Sequence, residues 1–301
     1  MKKRYLVTGA SGQLGSYLLR ELLRREASVV GWSGTRMGEC FGVPLRPVNL
    51  GDRGSLAAAF RDVRPDVVLH AGAMARVADC LRDPNLAHQV NTLGTASLAE
   101  MAAESAARLV YVSTDLVFDG QQGDYREEDV PAPVSVYGKT KLAAEEAVLA
   151  ISGHLAVRVS LLFGPSLVGR PTFFDEQRTA LRTGKPVTLF IDEWRTPLSL
   201  ITAARALVSL ADSDYSGLVH LGGPERLSRW EMGRRLAAYL RADPSSLVAT
   251  ERDRQSGAEP RPRDTSLNSS RWRSWFPGEP WPTFLDALQE MEALVQPSLS
   301  R

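Results

Sequence analysis

Tyr137 and Lys141 stand four residues apart in the run Tyr137-Gly138-Lys139-Thr140-Lys141. On a helix this spacing puts two side chains on one face. The chain has seven tyrosines and five lysines (Lys2, Lys3, Lys139, Lys141 and Lys185), the other basic residues being arginine. Chance supplies about 0.1 such ordered pairs in a chain of this length, so the spacing is informative by itself. A free phenol titrates near about 10, and a cation one turn away favours the phenolate and lowers that value. The chemistry expected is proton transfer, to a carbonyl oxygen in one direction and back in the other. Upstream, Leu109-Val110-Tyr111-Val112-Ser113-Thr114-Asp115 reads as a strand ending in hydroxyls. Thr114 is expected to hydrogen-bond the reacting oxygen, with Ser113 beside it; both would equally finish the strand and cap a turn.

A second constellation opens the chain. Thr8-Gly9-Ala10-Ser11-Gly12-Gln13-Leu14-Gly15 follows the apolar run Tyr5–Thr8 and precedes helical spacing of Leu14, Leu18, Leu19, Leu22 and Leu23 over Gly12–Arg25. Gly9 suits the tight turn after a strand, Gly12 a close approach of a pyrophosphate, and Gly15 close packing of helix on sheet. The free N–H groups of the helix start attract phosphate, so the loop predicts a dinucleotide site with Ser11, Gln13 and Leu14 around it. The second strand, Ser28–Trp32, is followed by Ser33-Gly34-Thr35-Arg36 and carries no acid for ribose hydroxyls. Ser33 and Arg36 suit a 2′-phosphate, which favours NADP(H) over NAD(H), although Arg36 would also serve as a solvated cation. Asp52 is placed either for the adenine amino group or as a helix cap. Asn91, inside a helix, reads as a relay group or an ordinary buried amide.

These groups need a scaffold that brings strand ends together. Further strands are expected at Leu45–Val48, Asp66–His70, Leu109–Ser113, Leu155–Ser160 and Leu218–Leu221. Helices are expected at Ser55–Arg61, Asn85–Ala107, Val136–Ala150, Trp230–Leu240 and Phe284–Val295. The alternation predicts an α/β fold, a doubly wound parallel sheet of Rossmann type, with a smaller C-terminal substrate-binding lobe. Residues 1–161, with additions from about 191–222, are assigned to the dinucleotide-binding part; 162–190 and 223–301 to the lobe. Trp272, Trp275, Phe276 and Trp281 read as a small satellite core. Arg252–Asp264 is the most loop-like stretch.

The chain has 301 residues, a formal net charge of +1 and 44% hydrophobic residues. That balance argues against a nucleic-acid partner. No apolar run has the length of a membrane span, and Met-Lys-Lys-Arg leads into a strand without a signal-peptide pattern. Cys40 and Cys80 show no metal-ligand spacing, and a cytoplasmic location is expected. No metal is indicated, although a carboxylate-bound Mg²⁺ at an interface leaves no clear signature.

Together the motifs resemble the extended short-chain dehydrogenase/reductases, and within them the dTDP-4-dehydrorhamnose reductases. The resemblance rests on TGASGQLG (8–15), HAGA (70–73), VNTLGTASLA (90–99), VYVSTDLVFDG (110–120), YREED (125–129), PAPVSVYGKTK (131–141) and RPRDTSL (261–267). It implies Thr114, Tyr137 and Lys141 as the catalytic trio. It also implies Gly9, Gly12, Gln13, Leu14, Gly15, Asp52, Ala71, Gly72, Ala73 and Asn91 on the cofactor side, with Tyr137, Lys141 and Ser113 adjoining. Asp115, Arg195 and Arg261 match substrate-side positions, Arg195 resembling a diphosphate-binding arginine and the two arginines serving equally as ion-pair partners. The implied activity is reduction by NADPH of the C4 ketone of a nucleotide-linked 4-keto-6-deoxy sugar; a homodimer is also considered. Met74-Ala75-Arg76-Val77, Leu161-Leu162-Phe163 and Arg195-Thr196-Pro197-Leu198 depart from the family's usual residues, all on the substrate side. Two alternatives share these motifs: a regulatory subunit resembling the beta subunit of methionine adenosyltransferase, and a sugar-nucleotide epimerase.

Overall fold

The computed structural model describes residues 2–252 and 260–295. The loop-like stretch Arg252–Asp264 therefore lies in part, at 253–259, outside the described residues. In chain order the strands are β1 (Arg4–Thr8), β2 (Ser28–Ser33), β3 (Glu39–Cys40), β4 (Val43–Pro47), β5 (Val67–His70), β6 (Arg108–Thr114), β7 (Leu155–Val159), β8 (Leu162–Phe163), β9 (Val187–Phe190), β10 (Trp194–Arg195), β11 (Leu198–Ser199), β12 (Gly217–Leu221), β13 (Leu227–Ser228) and β14 (Leu247–Thr250). The helices are α1 (Gln13–Arg24), α2 (Arg53–Val63), α3 (Val77–Arg82), α4 (Pro84–Ala87), α5 (Gly94–Glu104), α6 (Val136–Leu149), α7 (Phe173–Thr183), α8 (Leu200–Asp212), α9 (Arg229–Leu240), α10 (Ser270–Trp275) and α11 (Phe284–Val295).

The main sheet runs β12-β7-β6-β5-β1-β2-β4-β3. Its pairings are parallel except β3 with β4. Successive side chains of a strand face opposite sides of a sheet, and the sequence uses both. Val7, Val110 and Val157 pack with Leu18, Leu19 and Leu22 of α1 and Leu207 and Leu210 of α8. Leu6, Leu109, Tyr111 and Ala156 pack on the other side with Leu56 of α2, Leu98 of α5 and Ala144 of α6. Burial of each such leucine stabilises the fold by about 1.5–3 kcal/mol. The order of strands reverses between β1 and β5, and open α/β sheets bind ligands at the carboxyl ends beside that reversal.

A third cluster joins Phe163, Phe174, Leu189, Leu227, Met232, Leu236 and Phe284, from β8 through α11. The aromatic satellite expected from the sequence takes another place. Trp272 is fully buried in the α1–α8 side of the main core, with Trp275, Phe276 and Trp281 packed against it. The helix expected over Asn85–Ala107 begins at Pro84 and is interrupted by a π-helical segment, His88–Leu93, between α4 and α5. Apolar periodicity cannot reveal one extra residue in a turn. Helices α3, α7, α8 and α10 were not expected from the sequence.

Candidate active site

Gly9 carries a φ of 67° that other residues rarely adopt, and a Cβ there would lie 2.8 Å from the Cα of Gly72. The turns after β1 and β5 thus touch at the strand-order reversal. A Cβ on Gly15 would lie 2.0 Å from the Gly9 carbonyl oxygen, so helix α1 starts hard against the turn. No side chain caps α1 at Gly12, which leaves its N-terminal N–H groups for a ligand. Beneath the loop, Thr8 Oγ1 accepts from the Gly72 N–H at 2.9 Å and bonds His70 Nδ1 at 2.6 Å. His70 Nε2 meets Thr95 Oγ1 at 2.9 Å. Burial pushes the His70 imidazole down to about 3, so it serves as a neutral bridge between Thr8 of β1 and Thr95 of α5. Ala71 and Ala73 flank Gly72 on the same turn. A narrow, uncapped, side-chain-free cradle fits a dinucleotide pyrophosphate.

Around this cradle the other expected groups are held differently. Ser33 is buried and its hydroxyl bonds the Arg36 carbonyl oxygen. The exposed Arg36 donates to the Val168 carbonyl oxygen at 3.1 Å. Asp52 takes the capping alternative: Oδ1 accepts from Gly54 N at 2.9 Å and Ser55 N at 3.2 Å. Asn91 behaves as a buried amide, with Oδ1 accepting from Met74 N at 2.8 Å and Nδ2 donating to Met74 O and Thr140 Oγ1 at 3.1 Å each.

Helix α6 presents the tyrosine and lysine. Ser135 caps it through the Gly138 N–H at 3.0 Å. A Cβ at Gly138 would lie 2.2 Å from the Leu116 carbonyl oxygen, so the helix start sits directly on the turn that follows β6. That contact brings the Tyr137 phenol beside Thr114. Burial, and after it the charge of Asp115, pushes the phenol above its ordinary range. This reverses the expectation that Lys141 lowers it. Lys141 is 3% exposed and donates from Nζ to the Val112 carbonyl oxygen at 2.7 Å, 4.1 Å from the centre of the Tyr111 ring. Burial pushes this ammonium down to about 7, against the opposing pull of Glu145 and then Cys80.

Glu145, four residues after Lys141, was not anticipated. It is 1% exposed and pairs with Arg158 of β7, NH2 to Oε2 at 2.8 Å. The Ser113 hydroxyl also donates to it. Ser113 is therefore turned into the protein, contrary to its expected cofactor-side role. Arg158 continues to His220 Nε2 at 3.4 Å, and His220 Nδ1 bonds the Tyr125 carbonyl oxygen at 3.0 Å. The four-residue spacing of Tyr137, Lys141 and Glu145, which puts all three on one face of a helix, was the signal available in the sequence.

The substrate-side candidates come together as pairs. Asp115 lies 3.5 Å from Arg195 Nε and accepts from Thr265 Oγ1 at 2.8 Å; burial pushes its carboxyl up. Arg195 also donates to the carbonyl oxygens of Trp194 at 2.6 Å and Pro262 at 3.2 Å. Arg261 is bound through two nitrogens to the buried Glu193, one bond measuring 3.1 Å. For both arginines the ion-pair alternative is realised.

The sequence profile of the RmlD substrate binding domain matches residues 3–296. Methionine adenosyltransferase 2 subunit beta of Xenopus laevis is 31% identical over 279 residues, 89% of this chain and 81% of that protein. The dTDP-4-keto-6-deoxy-D-glucose reductase of Streptomyces niveus is 30% identical over 276 residues, covering 91% of each. A hypothetical dTDP-4-dehydrorhamnose reductase from Sulfolobus tokodaii superposes with a TM-score of 0.83 at 30% identity, over 94% of this chain and 98% of that one. With its parallel sheet, glycine cradle and Thr114–Tyr137–Lys141 set, the chain belongs to the RmlD substrate binding domain family, within the NAD(P)-dependent oxidoreductases of the extended short-chain dehydrogenase/reductase type.

Proposed function

We propose that this protein reduces the C4 ketone of a nucleotide-linked 4-keto-6-deoxy sugar with NADPH. The observation that carries the reading is the placement of Tyr137, on the first turn of α6, beside Thr114 at the carboxyl end of β6, with Lys141 one turn further along α6 and the open glycine cradle on the same edge of the sheet. The likeness to the Streptomyces niveus reductase supports the substrate class. Gly9, Ser11, Gly12, Gln13, Leu14 and Gly15 would hold the pyrophosphate and Ser33 with Arg36 the 2′-phosphate; Ala71, Gly72 and Ala73 line the same cleft. NADPH, when bound, supplies the hydride.

The chain's own groups do the rest. Thr114 orients the carbonyl oxygen by its hydroxyl. Tyr137, kept protonated by burial and by the nearby Asp115 charge, gives that oxygen its proton as negative charge develops there. Lys141, one turn further along α6, would supply the positive charge that favours the phenolate left behind. Asp115 and Arg195 keep the wall beside Thr114 rigid through their ion pair.

The 31% identity to methionine adenosyltransferase 2 subunit beta favours a second reading, a nucleotide-binding regulatory subunit. Under that reading the Tyr137 hydroxyl has no turnover to support. Following NADPH absorbance with a dTDP-4-keto-6-deoxy sugar, wild type beside Tyr137→Phe, separates the two.

A further inference from the structure

Thr95 Oγ1 lies 2.6 Å from the carbonyl oxygen of Asn91, four residues before it, and 2.9 Å from His70 Nε2. A hydroxyl has one hydrogen to give, and a carbonyl oxygen only accepts. The Thr95 hydrogen therefore goes to Asn91, and the contact with His70 is a hydrogen bond only if Nε2 carries the hydrogen. The imidazole is fully buried, and among the described residues no carboxylate bonds it. Such a ring stays neutral, which leaves Nδ1 as an acceptor. Thr8 Oγ1, 2.6 Å from Nδ1, then donates to it while accepting from the Gly72 N–H at 2.9 Å. Each hydrogen in the row thus points one way: from Gly72 to Thr8, to His70, to Thr95 and to Asn91.

The row reaches the reacting end through the π-helical turn His88–Leu93, an irregularity that recurs at functional sites. The Asn91 side chain holds the N–H of Met74 at 2.8 Å, and the Met74 carbonyl oxygen and the Thr140 hydroxyl at 3.1 Å each. The next residue, Thr92, donates to the Thr140 carbonyl oxygen at 2.9 Å. Thr140 stands between Tyr137 and Lys141 on α6, and its hydroxyl donates to the Tyr137 carbonyl oxygen at 2.9 Å. Asn91, Thr92, Thr95 and Thr140 are all buried. At the other end, Gly72 is the residue against which the Gly9 turn packs. A buried row in which every hydrogen has one acceptor leaves its members no second arrangement. We propose that this row is a positioning device for the reduction: Thr95 fixes His70 as its Nε2–H form, and the row holds the glycine cradle and the helix carrying Tyr137 at one separation. The step it serves rests on the keto-sugar reading; the direction of its hydrogen bonds does not. Neither His70 nor Thr95 touches the reacting atoms, and both act through Asn91 and Thr140.

Two measurements test it. Long-range proton–nitrogen spectra of histidine-labelled protein at pH 7 read which ring nitrogen carries the hydrogen, the His70 signal being assigned by its loss in His70→Gln. The expected form is neutral, with the hydrogen on Nε2. A hydrogen on Nδ1, or on both nitrogens, overturns the proposal. NADPH oxidation with a dTDP-4-keto-6-deoxy sugar is then compared in wild type, Thr95→Val and Thr95→Ser. Valine keeps the shape of the side chain without its hydroxyl, and serine keeps the hydroxyl. Rates are read below the melting temperature of each variant, so that lost folded protein is not counted as lost rate. The expected result is a kcat lower by roughly 10- to 100-fold in Thr95→Val, with the KM for the sugar unchanged and most of the rate returned in Thr95→Ser. Equal kcat in Thr95→Val and wild type, or a loss that Thr95→Ser shares, overturns the positioning role and leaves the keto-sugar reading standing. A wild type that binds NADPH but turns over no keto sugar overturns both.

Discussion

Nζ of Lys141 donates a 2.7 Å hydrogen bond to the carbonyl oxygen of Val112, at the buried end of β6. One acceptor and a ring face replace the water around an exposed ammonium, and the group titrates near about 7 instead of 10.5. Between those values the unfolded chain binds more protons than the native one, so this lysine makes stability rise with pH across the window. The slope is at most about 1.4 kcal/mol per pH unit for one group. Urea unfolding of wild type and Lys141→Met at several pH values from 7 to 9.5 checks it. The difference between the two proteins stays constant with pH if Lys141 titrates normally, and shifts steadily in favour of wild type as pH rises if it is desolvated as described.

His70 and His220 supply the opposite edge of the profile. Both are buried, and desolvation holds both down to about 3. Below 6.5 the unfolded chain takes up protons that these native imidazoles refuse, so stability falls as pH falls from 6.5 toward 3. Replacing His220 with Gln removes one of these contributions, to which the buried His154, also held down by desolvation, adds. Urea midpoints measured from pH 7 to pH 4 should fall less steeply in His220→Gln than in wild type.

Glu145 of α6 and Arg158 of β7 form a buried pair. Arg158→Met leaves the Glu145 carboxylate without its counter-charge and is expected to cost about 3–5 kcal/mol. Adding Glu145→Gln removes the stranded charge, so the double variant should recover a large part of that loss. A double-mutant cycle by chemical denaturation reads the coupling directly.

The glycine turn after β1 and the helix that carries Tyr137 and Lys141 were legible because their requirements are local. A glycine triplet between strand and helix, and Tyr137 four residues before Lys141, are consequences of backbone geometry that short segments carry. The partners of Ser113, Asp52, Asn91 and Arg261 were not legible as single outcomes, because each polar side chain had two physically reasonable acceptors and tertiary packing chose between them. Arg158 and His220 come from strands more than 60 residues apart, 158 against 220, and no pattern along the chain joins them to Glu145. The direction of the Tyr137 shift was misread for a related reason. Spacing gives the distance to Lys141, but burial acts on both groups and turns the ammonium toward Val112.

Gly138 is where the fold sets the position of Tyr137. Gly138→Ala introduces a Cβ 2.2 Å from the Leu116 carbonyl oxygen, an atom fixed in backbone. The start of α6 must lift away, and a displacement of about 1 Å at a reacting group costs on the order of 100-fold in rate. Under the proposed function, steady-state kinetics of Gly138→Ala should show kcat falling by about that factor, with NADPH affinity retained.

Under the proposed function Tyr137 donates the proton during reduction of a nucleotide-linked keto sugar. NADPH oxidation with a dTDP-4-keto-6-deoxy sugar is the most direct measurement, comparing wild type with Tyr137→Phe. The account predicts turnover by wild type and a rate lower by roughly 10²- to 10⁴-fold in Tyr137→Phe, with NADPH binding intact in both. Turnover by Tyr137→Phe at the wild-type rate, or no oxidation by a wild type that binds NADPH, would contradict it.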